Sequence, residues 1–164
     1  FTVPFVSPFN PSAAVEAVAR SKGDLALVSA TTNRMPWWLD LEAEGAPKII
    51  ARLPFIERAD HPAALPVFVV SRVADSAMVT EVETWSVRVA GWNADIARAL
   101  SPLADIVAVP DSAFDGAALL VSVARPQSLD KITSALIAAG ASVRSSALVG
   151  SHATRYTVPS NGAR

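Results

Sequence analysis

The segment Thr31-Thr32-Asn33-Arg34 carries side chains well suited to hold an anion. It follows the apolar run 25–30 (LALVSA), and ligands of open α/β sheets bind beyond the carboxyl ends of the strands. Two hydroxyls, an amide and a guanidinium at such a point predict a carboxylate site with these four residues as candidates for catalysis. A loop that precedes a short helix explains the same residues equally well.

A second anion site is predicted at Arg125, Gln127, Ser128 and Leu129, where a helix begins. The first N–H groups of a helix have no partner within it, so they attract negative charge. Arg125 adds a positive charge and Ser128 a hydroxyl, both suited to a carboxylate. Ser128 is also a good N-cap, so a purely structural role remains the alternative.

Other residues give little support to catalysis. His61 and His152 lack a second metal ligand at helical or hairpin spacing, which favours a turn residue and a polar hairpin residue over a zinc site. Asp40, Glu42 and Glu44 alternate in an irregular segment, which is typical of a solvated loop. No nucleophile elbow, P-loop or dinucleotide-binding glycine motif occurs. We therefore expect no metal, no cofactor and no catalysis by this chain alone.

The composition limits the possible partners. The chain has 164 residues, 51% hydrophobic and 18% charged, with a formal net charge of -1, which is typical of a compact protein without a basic field for nucleic acid or anionic lipid. The absence of cysteine excludes disulfides and is compatible with a reducing cytoplasm. No apolar run reaches the roughly 18 residues that a membrane span requires. We expect a cytoplasmic protein that binds neither nucleic acid nor membrane.

The first part of the chain predicts strand, helix and strand. The run TVPFV predicts a strand, and Asn10 then predicts the N-cap of a helix that Gly23 ends in a left-handed conformation. The run 25–30 predicts a strand covered on both faces in a parallel sheet. Around Trp37-Trp38 the chain loses periodicity, which predicts a loop or short helix with at least one tryptophan partly exposed.

Further strands are predicted at 48–53 (KIIARL) and 66–72 (PVFVVSR). The polar interval 74–81 then predicts a domain boundary. After it, TWSVRVA predicts a strand, the spacing of Trp92, Ile96 and Leu100 predicts a helix, and DIVAV predicts another strand.

The segment 117–158 predicts strand, helix, strand and strand. Apolar residues recur at helical spacing from Leu129 to Ile137, and Gly140 predicts a left-handed residue past the helix end. Gly150-Ser151 predicts a hairpin turn between the last two strands. Two successive strand-helix-strand units give βαββαβ, the ferredoxin-like plan, with both helices on one face of the sheet.

The order of these segments resembles a known family. PSAAVEAVARSKG, DLALVSA, WWLDL and KIIARLPF resemble one lobe of prephenate dehydratase, a periplasmic-binding-protein-like enzyme of phenylalanine biosynthesis. The C-terminal part is similar to the regulatory ACT domain that follows it, with RPQSLDKI at the helix start and SVRSSALVG at the next strand. The resemblance implies an incomplete lobe at 1–75, with a parallel or mixed sheet, and an ACT-like ferredoxin-fold unit at 82–158.

The chain departs from the family at two points. Leu65-Pro66-Val67 stands where the family has the threonine and arginine of a T-R-F motif, and only 56–65 stand where the family has a second lobe. The resemblance therefore implies a regulatory or non-catalytic region of a shikimate-pathway protein that binds an aromatic carboxylate or mediates assembly as a homodimer. A chorismate mutase domain is expected upstream of Phe1. An active prephenate dehydratase and a purely structural dimerisation module are the alternatives.

Overall fold

The computed structural model describes residues 6–30, 35–58, 66–72, 81–111 and 115–158. Four predictions made from the sequence fall wholly or mostly outside these ranges: the strand TVPFV except Val6, the candidate site Thr31 to Arg34, the turn residue His61, and the boundary at 74–81 except residue 81.

Within the described ranges the chain forms three α-helices, one 3₁₀ helix and nine β-strands. The helices are α1 (Pro11–Arg20), the 3₁₀ helix (Trp37–Leu41), α2 (Ala94–Leu100) and α3 (Leu129–Ala138). The strands are β1 (Ala26–Ser29), β2 (Lys48–Leu53), β3 (Ile56–Arg58), β4 (Val67–Ser71), β5 (Val82–Ala90), β6 (Asp105–Asp111), β7 (Gly116–Ala124), β8 (Ser142–His152) and β9 (Tyr156–Val158). Among these helices, none is both long and apolar enough to cross a membrane.

Seven strands form one mixed sheet in the order β1-β4-β2-β8-β5-β7-β6. Neighbouring strands are antiparallel except β2 and β8, which run parallel and pair at Ile49 and Gly150. β3 and β9 form a separate two-stranded parallel sheet. The chain is therefore an α/β protein, as predicted, and strands from before and after residue 81 share one sheet.

Helix α1 begins as predicted but ends differently. Asn10 accepts a hydrogen bond at Oδ1 from the N–H of Ala13 (2.9 Å), and Pro11 is the first helical residue. Gly23 is not left-handed, so that prediction is wrong. Ser21 ends the helix in extended backbone, and its Oγ accepts a hydrogen bond from the N–H of Gly23 (3.2 Å). A serine turn thus replaces the expected glycine cap.

β1 is an edge strand rather than the doubly covered parallel strand that its apolar run predicts. Among the described strands it pairs only with β4, and that pairing is antiparallel. Ala26 and Val28 are buried, whereas Leu25 and Leu27 are 60% and 58% exposed. The prediction fails because only one face of this edge strand is covered.

The 3₁₀ helix buries both tryptophans, so the prediction that one is partly exposed is also wrong. Trp37 and Trp38 are 1% and 0% exposed. Their rings meet edge to face with centroids 6.0 Å apart, and Trp37 also contacts Phe68 of β4. The helix lies in a core between α1 and the sheet, where side chains on more than one of its faces are covered.

The region after residue 81 packs its helices on one core. β5 pairs with β7 along its whole length, from Val82–Ala124 to Ala90–Gly116. Buried residues of α2 and α3 contact alternate residues of these strands; they are Ile96, Leu100, Ile132, Leu136, Val87, Val89, Leu119 and Val121. Gly140 is left-handed past the end of α3 (φ 94°), as predicted.

β8 continues through the point where a hairpin turn is predicted. It is an 11-residue strand that includes Gly150-Ser151, and β9 pairs with β3 instead of β8. The glycine serves another purpose, because a Cβ at Gly150 would lie 2.2 Å from the carbonyl oxygen of Ile49. It permits the close approach of β2 and β8 that joins the sheet.

Candidate functional site

The predicted site at the start of α3 lies on the surface. Arg125 is exposed, whereas Gln127, Ser128 and Leu129 are half-buried. Ser128 is the N-cap residue, but its hydroxyl makes no capping hydrogen bond. Asp130 already places a carboxylate in the first turn of α3, where it competes with an incoming anion for the helix dipole. The structure therefore leaves the Ser128 hydroxyl without a capping bond, three residues after an exposed arginine.

A second group of polar residues, here called the polar cluster, lies at one end of the sheet. It consists of Arg52 of β2, Thr84 of β5, Asp105 of β6 and His152 of β8. Arg52 Nη1 donates to Asp105 Oδ2 (2.6 Å), and the Arg52 guanidinium lies 5.8 Å from the ring centroid of Phe68. The ring of His152 lies 6.3 Å from the same phenylalanine. Phe68 is thus flanked by a cation and an imidazole.

The strand register brings the polar cluster together. Asp105 pairs with Ser122 of β7, and Ser122 pairs with Thr84, so the three residues form a row across neighbouring strands. Paired residues of adjacent strands point to the same face. Arg52 is joined to this row by its ion pair with Asp105. The polar cluster therefore joins strands from both parts of the chain.

His152 is held as a neutral imidazole. Its Nδ1 lies 2.8 Å from the carbonyl oxygen of Ala153, which can only accept, so Nδ1 carries the proton and Nε2 a lone pair. Burial lowers the pKa of His152, and the positive charges of Arg52 and Arg155 lower it further. The bond to Ala153 and the charge of Asp105 act in the opposite direction. Burial is the largest of these effects.

Three atoms of the polar cluster are buried without a hydrogen-bond partner: His152 Nε2, Thr84 Oγ1 and Arg52 Nε. Such atoms are costly because each loses its bond to water on folding. His152 and Thr84 are 1% and 0% exposed, so a substrate in solvent does not reach them in this conformation. The arrangement fits a structural junction better than acid–base catalysis.

The acidic segment 40–44 does not form a catalytic pair. Asp40 and Glu44 are exposed. Glu42 accepts hydrogen bonds from Ser86 Oγ (2.6 Å) and Arg88 Nη2 (3.2 Å), which fixes the end of the 3₁₀ helix on β5. In the described part of the chain, no group of three or more histidine, aspartate or glutamate side chains is placed to hold a metal ion.

The polar cluster was missed from the sequence because its members are 20 to 100 positions apart. The pattern around His152 favours a polar hairpin residue, yet the side chain is among the most buried in the chain. One signal was present, since Arg52 interrupts the otherwise apolar strand KIIARL. A cation within such a strand indicates an acidic partner elsewhere in the fold.

Comparison of the chain with protein-family models, with curated proteins and with solved structures finds no match in any of the three.

Proposed function

We propose that the chain is a regulatory, non-catalytic region of an aromatic amino acid biosynthesis protein related to chorismate mutase and prephenate dehydratase. Its function would be to bind an aromatic carboxylate. The observation that carries this proposal is the strand order β8-β5-β7-β6, with α2 and α3 packed in one core.

That strand order supports a ferredoxin-like, ACT-like unit at residues 82–158. β5 and β6 run parallel with β7 between them, because β7 is antiparallel to both. In the same way β7 and β8 run parallel with β5 between them. Each strand-helix-strand unit is therefore split by a strand of the other, which is the ferredoxin-like arrangement. Units of this plan serve many functions, so the family resemblance supplies the ligand class.

The N-terminal strands are proposed to derive from one degenerate dehydratase lobe. The described strands β1, β4 and β2 are antiparallel neighbours, and only a short segment joins β3 to β4. A lobe of this size supplies one wall of a cleft and lacks the threonine and arginine of the family motif. Both features favour a non-catalytic region over an active dehydratase.

The proposed ligand site is the start of α3. The Ser128 hydroxyl does not cap the helix, and Arg125, three residues earlier, is exposed, so both are available to a carboxylate. Thermal unfolding with phenylalanine, tyrosine, tryptophan or prephenate at millimolar concentration tests the proposal. We expect at least one of these ligands to raise the melting temperature by mass action. The Arg125→Ala variant should lose most of that increase.

Arg20→Ala is the matched control, because Arg20 is exposed on α1 and, among the described residues, forms an ion pair with Glu16 of the same helix alone. It should keep the ligand-induced shift. No shift with any ligand, together with a stable dimer in analytical ultracentrifugation, would favour the structural dimerisation module. Formation of phenylpyruvate from prephenate above the spontaneous rate would favour the active dehydratase.

A further inference from the structure

An open cavity of about 600 Å³ lies between the 3₁₀ helix and the sheet, at the opposite end of β5 from the polar cluster. Its volume is within the range of small-molecule sites. Pro36, Leu39, Arg88, Val109, Ala118 and Arg144 are among the residues that line it. The cavity faces away from α2 and α3, because Ala118, Val107 and Val109 contact the core that contains the 3₁₀ helix.

One wall of the cavity is apolar. Leu39 and Val109 are half-buried, and Ala118 is 8% exposed. These side chains come from three elements, the 3₁₀ helix, β6 and β7, so their spacing is set by the packing of the core. An apolar molecule that enters the cavity would cover surface that is now open to water.

A β-bulge places Arg144 at the rim. Val89 pairs with Val143 and Arg88 pairs with Ser145, which leaves Arg144 as the extra residue of β8. Two residues of the bulged strand therefore oppose Arg88, and a bulge redirects the side chain that it carries. The two arginines consequently line the same cavity from neighbouring strands.

The two arginines differ in their partners. Glu42 accepts from Arg88 Nη2 (3.2 Å) and holds that guanidinium in place. For Arg144 we find no hydrogen bond or ion pair with any residue in the part of the chain that the structure describes. Asp111 also lines the cavity, so its carboxylate disfavours ligands with a high negative charge.

We propose that this cavity binds a small organic monoanion whose carboxylate contacts Arg144 and whose apolar body packs on Leu39, Val109 and Ala118. Arg88, already oriented by Glu42, lies beside the same carboxylate. A planar or short aliphatic body fits the apolar wall, and a single negative charge matches the Arg144 guanidinium, which has no partner among the described residues. The site is separate from the start of α3 and does not depend on it.

Phenylacetate is the probe, and its neutral analogue phenylacetamide is the matched ligand control. Titration of the labelled protein, followed by amide chemical shifts in NMR, should move resonances of Leu39, Val109 and Ala118 with phenylacetate. Phenylacetamide should bind roughly tenfold more weakly, because it lacks the charge that the guanidinium recognises.

Arg144→Ala should weaken phenylacetate binding by about tenfold, and Arg144→Lys should weaken it less. Arg98→Ala, which removes an exposed arginine of α2, should bind as the wild type does. Unperturbed resonances outside the cavity show that each variant is folded.

Equal binding of phenylacetamide, wild-type affinity in Arg144→Ala, or shifts confined to residues outside the cavity would overturn this site. An aromatic-ligand shift that is absent in the wild type, or that persists in Arg125→Ala, together with intact phenylacetate binding would refute only the site proposed at α3.

Discussion

The two parts of the chain contribute to one sheet but are held in it differently. β5 is paired on both sides along nearly its whole length, with β7 and β8, and both helices of this region share its core. The strands before residue 72 are shorter and join the rest of the sheet at one bridge, between Ile49 and Gly150. The comparison teaches that the N-terminal strands have one backbone bridge to the C-terminal strands of the seven-stranded sheet and otherwise rely on a shared core and on the pairing of β3 with β9. The C-terminal region, in contrast, has a continuous ladder of its own.

Substitution of Gly150 should have the largest effect on stability, because it disturbs the contact between the two parts. A Cβ at this position would lie 2.2 Å from the Ile49 carbonyl oxygen and 2.6 Å from its Cβ, so β2 and β8 must separate. We expect Gly150→Ala to lower the free energy of unfolding by about 3 kcal/mol, measured by urea denaturation. Amide hydrogen exchange should accelerate in β1, β2 and β4 before it does in β5 and β7.

Gly23→Ala is the control for this substitution. No atom lies within 4 Å of a Cβ at Gly23, and its backbone is not left-handed, so the free energy of unfolding should change by less than about 0.5 kcal/mol. If Gly150→Ala accelerates exchange in β5 and β7 first, the two parts do not differ in the way described.

A smaller effect is expected from the protonation of His152, which lies at the junction of the two parts. The pKa of His152 is below its usual value because the ring is buried, so the fold favours the neutral form. The unfolded chain binds the proton more readily, and stability is therefore present above the ordinary pKa of about 6.5 and is lost as the pH falls below it. We expect the free energy of unfolding to decrease between neutral pH and about pH 5.5.

The test compares the chain with its His152→Asn variant, in a His61→Gln background that leaves His152 as the sole histidine. Asparagine retains a donor near the position of Nδ1 but does not titrate. The variant should show a flatter dependence of stability on pH in this window. The groups that face the ring are Arg52, Asp105 and Arg155. An equal slope in both proteins would assign the pH dependence to another group.

The elements that local chemistry dictates were predictable. Asn10-Pro11 predicts the start of α1, the spacing of Leu129, Ile132 and Leu136 predicts α3, and Gly140 predicts the end of α3. These interactions occur within one or two helical turns, so the helices can be predicted without reference to the rest of the fold. The α/β class followed from them.

The elements that depend on distant partners were not predictable. An apolar strand such as β1 looks the same whether one or both of its faces are covered, because the neighbours that decide this are far away in sequence. Gly150 is compatible with a turn or with a close approach of two strands. Only the position of Ile49 in β2, directly against Gly150, decides between the two. The polar cluster and the cavity are assembled from several strands, which explains why neither was found from local patterns.

The smallest expected effect concerns the N-cap residues of α2 and α3, which are Asn93 and Ser128. Asn93 Oδ1 accepts hydrogen bonds from the N–H groups of Asp95 and Ile96, both at 3.0 Å, whereas the hydroxyl of Ser128 makes no such bond at α3. Asn93→Ala should therefore cost about 1 kcal/mol of stability in urea denaturation. Ser128→Ala should change it by less than about 0.5 kcal/mol. An equal cost at both positions would mean that Ser128 caps α3 in solution, and its hydroxyl would then not be available to a ligand.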